Sequence, residues 1–193
     1  CLFGFRDSRF PLLLSLRRLR GRAPLSLDLT GMTGIDVKFE PPDQAEVIAL
    51  ISELDAFQDT LYPPESRHSL DLSSVKGADL IFAVARDKSG RAIGCGAVVL
   101  SARYGEIKRM YVQPRCRGQG VARRILEDLE SAARLQGRTE LVLETGPYQP
   151  EALAFYESRG YRRRGPFGGY VDDPLSVFMQ KSLAVRAHRD HGG

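Results

Sequence analysis

The residues whose types and spacing could bind an anion lie in one short turn, Arg115-Cys116-Arg117-Gly118-Gln119-Gly120. Two glycines separated by one residue let the main chain approach a ligand without an intervening Cβ. The two arginines add cationic donors beside them. If a helix follows, its first N–H groups also face the anion. The turn therefore predicts a phosphate-binding site built largely from main-chain amides.

Two other phosphate-binding turns do not fit this segment. A P-loop requires Gly-x-x-x-x-Gly-Lys-Ser/Thr, and the sequence contains no such run. A dinucleotide-binding turn requires a third glycine, but position 123 is arginine. The pattern that remains is Arg-x-x-Gly-x-Gly at Arg115, Gly118 and Gly120. An ordinary glycine-containing connection between a strand and a helix is the alternative interpretation.

The elements on either side of this turn favour ligand binding. Residues 106–112 are predicted as a strand that leads into the turn. Residues 121–136 carry apolar side chains at i, i+3 and i+4 spacing, which predicts an amphipathic helix. Gly137 is expected to end that helix in a left-handed conformation. The turn would then lie at the amino end of a helix.

Strands and helices alternate along the rest of the chain. Further strands are predicted at residues 35–40, 80–86, 92–100, 140–145, 161–167 and 175–181. Further helices are predicted at residues 41–61, 66–72 and 150–159, with Pro41 and Pro42 in the first turn of the first one. Hairpin and crossover connections both occur, so we expect an α/β fold with a mixed central sheet of about six to seven strands flanked by helices.

The basic residues are unevenly distributed. The chain has 193 residues and a formal net charge of +4, and residues 1–31 hold six arginines against two aspartates. Residues 32–193 balance 22 basic against 22 acidic side chains. We therefore expect residues 1–31 to be an N-terminal extension, residues 32–185 the folded domain and residues 186–193 a polar tail. A neutral domain lacks the electrostatic footprint of a nucleic-acid-binding protein.

Composition also argues against metal and membrane functions. Cys1, Cys95 and Cys116 match no metal or redox spacing, and the sequence has only three histidines. No stretch reaches the ~18 apolar residues of a membrane span. We expect a cytoplasmic protein without a metal cofactor, and a homodimer is compatible with the sequence.

Two segments carry a family resemblance. Residues 106–122, Glu-Ile-Lys-Arg-Met-Tyr-Val-Gln-Pro-Arg-Cys-Arg-Gly-Gln-Gly-Val-Ala, resemble the acetyl-CoA motif of the GNAT superfamily of N-acetyltransferases. Residues 151–161 resemble its second motif, a helix that ends in Tyr-x-x-x-Gly-Phe/Tyr. The resemblance covers about residues 35–183, and residues 165–170 look like those of small bacterial-type members. It implies the GNAT-like acyl-CoA N-acyltransferase fold.

The resemblance also implies how acetyl-CoA would be held. Main-chain N–H groups of residues 115–121 are expected to bind the pyrophosphate, and residues 110–112 to pair with the pantetheine arm. The apolar positions 107, 110 and 112 break strict alternation, which fits the β-bulge of the family. Gln149 replaces the asparagine of many members but keeps an amide. The expected cofactor-binding residues are Met110, Tyr111, Val112, Arg115, Cys116, Arg117, Gly118, Gln119, Gly120, Val121, Ala122 and Gln149.

The implied reaction is direct attack of a primary amine on acetyl-CoA in a ternary complex. The amine must lose a proton, and Glu106 is the predicted base, with Glu144 as second choice. An exposed carboxylate at a strand end is an equal alternative for Glu106. Tyr156 matches the general acid of the family, with core packing as the alternative. Arg67 and Tyr170 are candidates for contacting the acceptor, although solvated loop positions are the favoured alternative for both.

The acceptor itself is the least determined part of the prediction. We favour a small-molecule amine. Acetylation of a protein lysine or N-terminus is a second hypothesis, and a non-catalytic acyl-CoA-binding module is a third.

Overall fold

The computed structural model describes residues 34–64, 72, 75 and 77–183. The strands are β1 (Asp36–Phe39), β2 (Leu80–Arg86), β3 (Ala92–Leu100), β4 (Gly105–Val112), β5 (Glu140–Thr145), β6 (Arg162–Arg164) and β7 (Val177–Ser182). The helices are α1 (Ala45–Asp59), α2 (Val121–Leu135) and α3 (Pro150–Ser158). Within the described part of the chain, no helix has both the length and the apolar character to cross a membrane.

All seven strands form one sheet in the order β1-β2-β3-β4-β5-β7-β6. Only β4 and β5 are parallel neighbours, and the other pairs are antiparallel. The β4–β5 ladder is short, because it contains three residue pairs and ends at Ile107 and Leu143. Both strands continue beyond those residues without pairing with each other, so they diverge and leave a gap in the middle of the sheet.

Helices cover both faces of the sheet. The side chains of α2 and α3 pack with those of β4, β5 and β7 in the larger core cluster, in which Ile125 and Met179 are fully buried. Helix α1 packs on the opposite face, where Val47 and Leu50 contact a second cluster. The predicted α/β fold with a mixed sheet and flanking helices is confirmed.

Helix α2 has the amphipathic face that the sequence predicts. Its buried residues include Val121, Ile125, Leu126, Leu129 and Ala133. One acidic residue, Glu130, is also buried on this face. Its carboxylate accepts hydrogen bonds from Tyr161 at 3.1 Å and from Lys181 at 2.7 Å. The polar residue is thus paired inside an otherwise apolar contact.

Several predicted boundaries are wrong by a few residues. Helix α1 begins at Ala45, because Pro41 and Pro42 belong to a preceding turn in which the Gln44 amide donates to the Pro41 carbonyl at 2.9 Å. Strand β6 stops at Arg164, just before Gly165 and a proline that has no N–H to donate. The predicted helix at 66–72, apart from Leu72, and both terminal segments lie outside the described residues.

The predicted β-bulge is confirmed on β4. Ala97 pairs with Lys108 and Cys95 pairs with Tyr111, so β4 contains one residue more than β3 across this interval. The extra residue lets Ile107, Met110 and Val112 all face the cluster under α2. Arg109 adopts a left-handed conformation in the bulge, with φ of 55°.

Candidate functional site

A cavity of about 730 Å³ lies where β4 and β5 diverge. Its walls come from the end of α1, the second half of β4, the glycine turn with the start of α2, and the β5–α3 connection with α3. The lining residues that the sequence predicts are Met110, Tyr111, Val112, Cys116, Arg117, Gly118, Gly120, Val121, Ala122, Gln149 and Tyr156. The structure thus brings both predicted motifs to one place.

Two predicted residues of the turn do not line the cavity. The Arg115 guanidinium donates to the Gln113 side chain at 2.8 Å, and the Gln119 amide donates to the Arg115 carbonyl at 3.1 Å. Both contacts are solvent-exposed and stabilise the turn on the side away from the cavity. Arg115 and Gln119 can therefore contribute their main chain, but their side chains are engaged elsewhere.

The two glycines of the turn both have left-handed backbones. Their φ angles are 73° at Gly118 and 82° at Gly120. A Cβ on Gly118 would meet no heavy atom within 4 Å, and one on Gly120 would meet only the Arg123 guanidinium at 3.9 Å. The main chain at these positions therefore borders open space, into which any other side chain would project.

The amino end of α2 is open to an anion. Gly120 precedes the helix and provides no side-chain cap, and the Arg124 N–H makes the first helical bond, to the Gly120 carbonyl at 3.0 Å. The amides of the first helical turn consequently have no acceptor within the helix. Such N–H groups and the helix dipole favour negative charge at this position.

Basic side chains surround this helix end. The first turn of α2 contains no acidic residue, and it carries Arg123 and Arg124 instead. The Arg117 Nε donates to the Val112 carbonyl at 3.1 Å, and its guanidinium lies 5.9 Å from the centre of the Phe57 ring. Cations at a helix amino end oppose its dipole unless an anion binds there. Arg123 and Arg124 also lie 3.9 Å and 3.6 Å from Glu127 and Asp128 on the same helix, so the charge pattern suits an anionic ligand without requiring one.

The edge of β4 that faces the cavity lacks a strand partner beyond Ile107. Met110, Tyr111 and Val112 line the cavity along this edge. Main-chain groups at an unpaired strand edge can bond an extended ligand that carries amides of its own. The site thus combines an anion-binding end with a strip suited to an amide-containing chain.

Tyr156 of α3 forms part of the inner wall. Its side chain is buried, and its ring packs edge-on against Phe155 at 5.2 Å and Tyr161 at 5.4 Å between centroids. It also lines the cavity. Burial raises the pKa of the Tyr156 phenol well above its ordinary value of 10.0. The residue therefore packs in the core and lines the site, and its raised pKa keeps the hydroxyl protonated.

Glu106 lies outside the cavity lining, in a polar cluster on the α1 face of the sheet. Its carboxylate accepts a hydrogen bond from the Tyr170 hydroxyl at 2.7 Å and pairs with Lys108 at 2.9 Å. The Lys108 ammonium also contacts the Tyr170 hydroxyl. Burial, together with the bond to Glu106, raises the pKa of Tyr170. Tyr170 is thus a partly buried partner of Glu106. The alternative interpretation of Tyr170 as a solvated loop residue does not hold.

Glu144 lies on the neighbouring strand, close to the same point. Ile107 and Leu143 form the last β4–β5 pair, so Lys108 and Glu144 are the next residues on each strand as they separate. The Glu144 carboxylate accepts a hydrogen bond from Ser176 at 2.9 Å. We call the point where β4 and β5 separate the apex of the gap, and residues 162–182 the β6–β7 region. Both predicted carboxylates are bonded near the apex by side chains from this region, Tyr170 and Ser176.

An aromatic contact that sequence reasoning missed fixes the β5–α3 connection. The Tyr62 hydroxyl accepts a hydrogen bond from the Tyr148 N–H at 3.1 Å, and the two rings stack at 5.7 Å. A Cβ on Gly146 would lie 2.0 Å from the Tyr62 hydroxyl, so only glycine fits. The Gly-Pro-Tyr-Gln-Pro run after β5 is a turn signal that could have drawn attention to this connection.

Other lining residues were also missed, mostly because they belong to α1 or α3. They are Leu54, Phe57, Leu61, Arg123, Tyr148, Pro150, Glu151, Ala152, Phe155 and Arg159. Arg67, a predicted acceptor contact, lies outside the described residues. Among residues 34–64, 72, 75 and 77–183, no three His, Cys, Asp or Glu side chains come together in a group that could hold a metal ion.

Comparison with known proteins gives a consistent result. Residues 78–163 match the family model of the acetyltransferase (GNAT) domain. The IAA acetyltransferase of Azospirillum brasilense is 47% identical over 154 residues, covering 79% of this chain and 100% of that protein. The uncharacterised N-acetyltransferase YsnE of Bacillus subtilis (strain 168) is 36% identical over 151 residues, covering 76% of this chain and 99% of YsnE. A crystal structure from Klebsiella pneumoniae, described as an acyl-CoA N-acyltransferase, has a TM-score of 0.72 at 42% identity and covers 79% of this chain and 99% of that one.

Proposed function

Because this chain belongs to the GNAT family of acetyltransferases, we propose that it transfers acetyl from acetyl-CoA to a primary amine of a small molecule. The amine attacks the thioester directly while both substrates are bound. The observation that supports this most strongly is the position of the glycine turn. Its open main chain and the unpaired edge of β4 border the same cavity. Coenzyme A has the matching pair of features, a diphosphate and an arm with two amides.

In this proposal the diphosphate binds at the amino end of α2. The main-chain N–H groups of Gly118 through Ala122 donate to it. Arg115, Cys116 and the Gln119 side chain maintain the shape of the turn. Arg117 and Arg123 supply positive charge. The pantetheine arm extends along residues 110–112, with Gln149 on the opposite wall. This order places the thioester deep in the gap, near the point where β4 and β5 separate.

Tyr156 is the proposed proton donor to the departing thiolate. It lines the cavity on the α3 side, where the end of the pantetheine arm would lie. Because burial raises its pKa, the phenol stays protonated across the neutral range. A protonated hydroxyl in the cavity wall is a source for the proton that sulfur takes up as the C–S bond breaks.

Glu106 is the proposed base, with Glu144 as the alternative. The contacts of Glu106 with Lys108 and Tyr170 fix the direction of its carboxylate. Both glutamates lie near the apex of the gap, on the face opposite α2, so an acceptor amine would approach from that face. Tyr170 would then border the acceptor site while it orients Glu106, and Arg67 remains a predicted acceptor contact.

Two observations favour a small acceptor over the alternatives. The β6–β7 region folds over the apex, because Tyr170 packs against Phe167 and Phe178 with centroids 4.9 Å and 5.4 Å apart. A covered apex suits a small amine better than a protein chain. The presence of Tyr156 and two carboxylates at the gap argues against a non-catalytic acyl-CoA-binding module. The Azospirillum relative is named for IAA, which makes IAA a compound to include in any acceptor test.

The deciding experiment is a screen for acetyl-CoA-dependent thiol release. The purified protein is mixed with acetyl-CoA and, in turn, amino acids, polyamines, aminoglycosides, peptides and IAA, and products are identified by mass spectrometry. Thiol release with a small amine supports the proposal, whereas release with peptides alone supports a protein acceptor. Coenzyme A binding in calorimetry without release from any compound supports a non-catalytic module. Absence of coenzyme A binding would contradict the proposal altogether.

A further inference from the structure

The bulge residue of β4 has an unfavourable backbone for its side chain. Among the described residues, Arg109 is the non-glycine residue with a positive φ, 55°. Any residue with a Cβ is disfavoured in this left-handed region, and glycine is the usual occupant of such bulge positions. An arginine persists there only if the surrounding structure holds it. We therefore looked for the contacts that stabilise it.

The Arg109 side chain is anchored to α1. Its guanidinium donates to the Asp55 carboxylate at 2.5 Å, and only 9% of the Arg109 side chain is exposed. The Arg109 carbonyl accepts a contact from the Cys95 thiol at 3.5 Å. Glu53, two residues before Asp55 on α1, accepts a hydrogen bond from the Tyr111 hydroxyl at 3.0 Å. Helix α1 thus contacts β4 at the bulge, through Asp55 and Arg109, and again two residues later, through Glu53 and Tyr111.

The position of this ion pair links it to the cavity indirectly. Neither Asp55 nor Arg109 lines the cavity, whereas Met110 and Leu54, their immediate neighbours in the chain, both do. The bulge decides which way the main chain of residues 110–112 turns, because it reverses the alternation of the strand at this point. A change at Asp55 can therefore alter the cavity edge without removing a ligand contact.

We propose that the Asp55–Arg109 ion pair is a positioning device that holds the β4 bulge in the conformation needed to bind the pantetheine arm. The inference rests on the proposed use of acetyl-CoA. Asp55 acts through Arg109, and Arg109 acts through its own backbone. The pair should therefore matter for the part of the ligand that lies along β4 and should be irrelevant for the part at the amino end of α2.

The test compares two ligands on the full-length protein by calorimetry. Coenzyme A carries the pantetheine arm, and 3′-phospho-ADP carries the same nucleotide and diphosphate without it. Asp55→Ala should weaken coenzyme A binding about tenfold, a typical coupling for residues in contact, and leave 3′-phospho-ADP binding unchanged. Loss of affinity for both ligands alike, or for neither, would overturn the proposal.

A matched control is available on the same helix. Glu46 of α1 also pairs with a strand arginine, since its carboxylate lies 2.7 Å from Arg86, but Glu46 lies in the first turn of the helix, whereas Asp55 lies near its end. Glu46→Ala removes the same charge and one α1–sheet ion pair, so it should bind both ligands like the wild type. Thermal unfolding of each variant reports whether the fold is intact.

The backbone argument supplies a rescue experiment. Glycine adopts a φ of 55° without needing an anchor. Arg109→Gly should therefore bind coenzyme A nearly as well as the wild type, and adding Asp55→Ala to it should cost nothing further. If the double variant is as impaired as Asp55→Ala alone, Asp55 acts by another route and the proposal is wrong.

A third measurement does not depend on the proposed function. Amide hydrogen exchange at residues 108–111, measured without ligand, should be faster in Asp55→Ala than in the wild type and unchanged in Glu46→Ala. Equal exchange in all three proteins would overturn the inference. If the wild type binds no coenzyme A, the proposed function fails, and this measurement still decides whether the ion pair holds the bulge.

Discussion

Tyr156 lies where one residue can pack in the core and also take the proposed part in catalysis. Its ring completes an aromatic cluster with Phe155 and Tyr161, and its side chain also reaches the cavity wall. The Tyr-x-x-x-Gly-Tyr pattern in the sequence is compatible with either role. Only the fold, which brings α3 beside the diverging strands, lets both hold at once. The role in proton transfer is therefore open to a test that leaves the packing intact.

Replacing Tyr156 with phenylalanine removes the hydroxyl and keeps the ring. We expect kcat to fall by about 10²-fold, the lower range for loss of a general acid, while the Kd for coenzyme A changes less than twofold. Steady-state kinetics and calorimetry measure the two quantities. Tyr161→Phe is the matched control, because its hydroxyl bonds the buried Glu130 instead of facing the cavity. It should lower Tm and leave kcat unchanged, and an unchanged kcat in Tyr156→Phe would rule out the acid role.

The two candidate bases can be separated by isosteric changes. Glu106→Gln and Glu144→Gln each keep the shape of the side chain and remove its ability to take a proton. If Glu106 is the base, its replacement should lower kcat/KM about 10²-fold or more, whereas Glu144→Gln should retain most activity. The reverse pattern would assign the role to Glu144. Because Glu106→Gln also loses the Lys108 ion pair, Tm is recorded for both variants.

At this scale, the sequence predicts main-chain chemistry better than side-chain partners. The sequence predicts Gly118 and Gly120 as positions where the main chain can approach a ligand closely, and both border open space in the structure. The partnership of Glu106 with Tyr170 could not be predicted, because 64 residues separate them. The sequence also does not predict that the Arg115 side chain points away from the cavity. Its guanidinium bonds the Gln113 side chain, a contact that depends on the folded shape of the turn.

Among the elements, the turn and α2 form the unit on which the proposed cofactor site depends. Local periodicity predicts this unit almost to the residue, from the strand before it to Gly137 after it. The β6–β7 region is predicted less well. There Asp173 delays β7, because its side chain accepts the Leu175 N–H at 2.8 Å and its carbonyl accepts the Ser176 N–H at 2.9 Å. Such a turn competes with strand formation without changing the apolar pattern.

Two glycines at opposite ends of α2 allow a controlled test of this unit. Gly120 and Gly137 both have positive φ, 82° and 77°, and a Cβ on either meets little or nothing within 4 Å. Valine at each position should cost a similar ~1–2 kcal/mol of stability through backbone strain. Only Gly120→Val should abolish coenzyme A binding in calorimetry, because only its side chain would enter the cavity. Normal affinity in Gly120→Val would remove the argument for a phosphate-binding turn.

In the whole molecule, the sheet consists of two parts joined by a narrow contact. Strands β1 to β4 form one antiparallel unit and β5, β7 and β6 form another, and the parallel β4–β5 ladder between them has three residue pairs. The sequence predicts a mixed sheet from its hairpin and crossover connections. The sequence does not predict the strand order or the gap, because the spacing of apolar residues reports which segments are strands and not how the strands pair.

A partly buried polar network stabilises the first of these parts and makes its stability depend on pH. The Arg86 guanidinium binds Glu40 after β1 at 2.8 Å and Glu46 of α1 at 2.7 Å. Hydrogen bonds from Arg86 lower the pKa of Glu40 from its ordinary value of 4.5 to about 2. A lowered pKa in the folded state stabilises the protein above pH 4.5, and this contribution is lost as the pH falls through about 2.

Glu40→Gln should therefore flatten the stability profile in acid. We expect its Tm to be about 3 °C or more below that of the wild type at neutral pH, and the difference to shrink between about pH 4.5 and 2. Thermal unfolding monitored by circular dichroism measures both. Asp36→Asn is the control, because its pair with Lys38 is largely exposed and should contribute little at any pH. A constant difference between Glu40→Gln and the wild type across the acid range would contradict the role of Glu40.

The short β4–β5 contact has a mechanical consequence. Only three residue pairs join β4 to β5, so the main chains of the two strands are not bonded to each other beyond Ile107 and Leu143. A pantetheine arm lying along β4 would form hydrogen bonds with the main chain of this strand where β5 does not. If acetyl-CoA binds as proposed, main-chain bonds across this opening would form when the coenzyme binds and would be lost when it leaves.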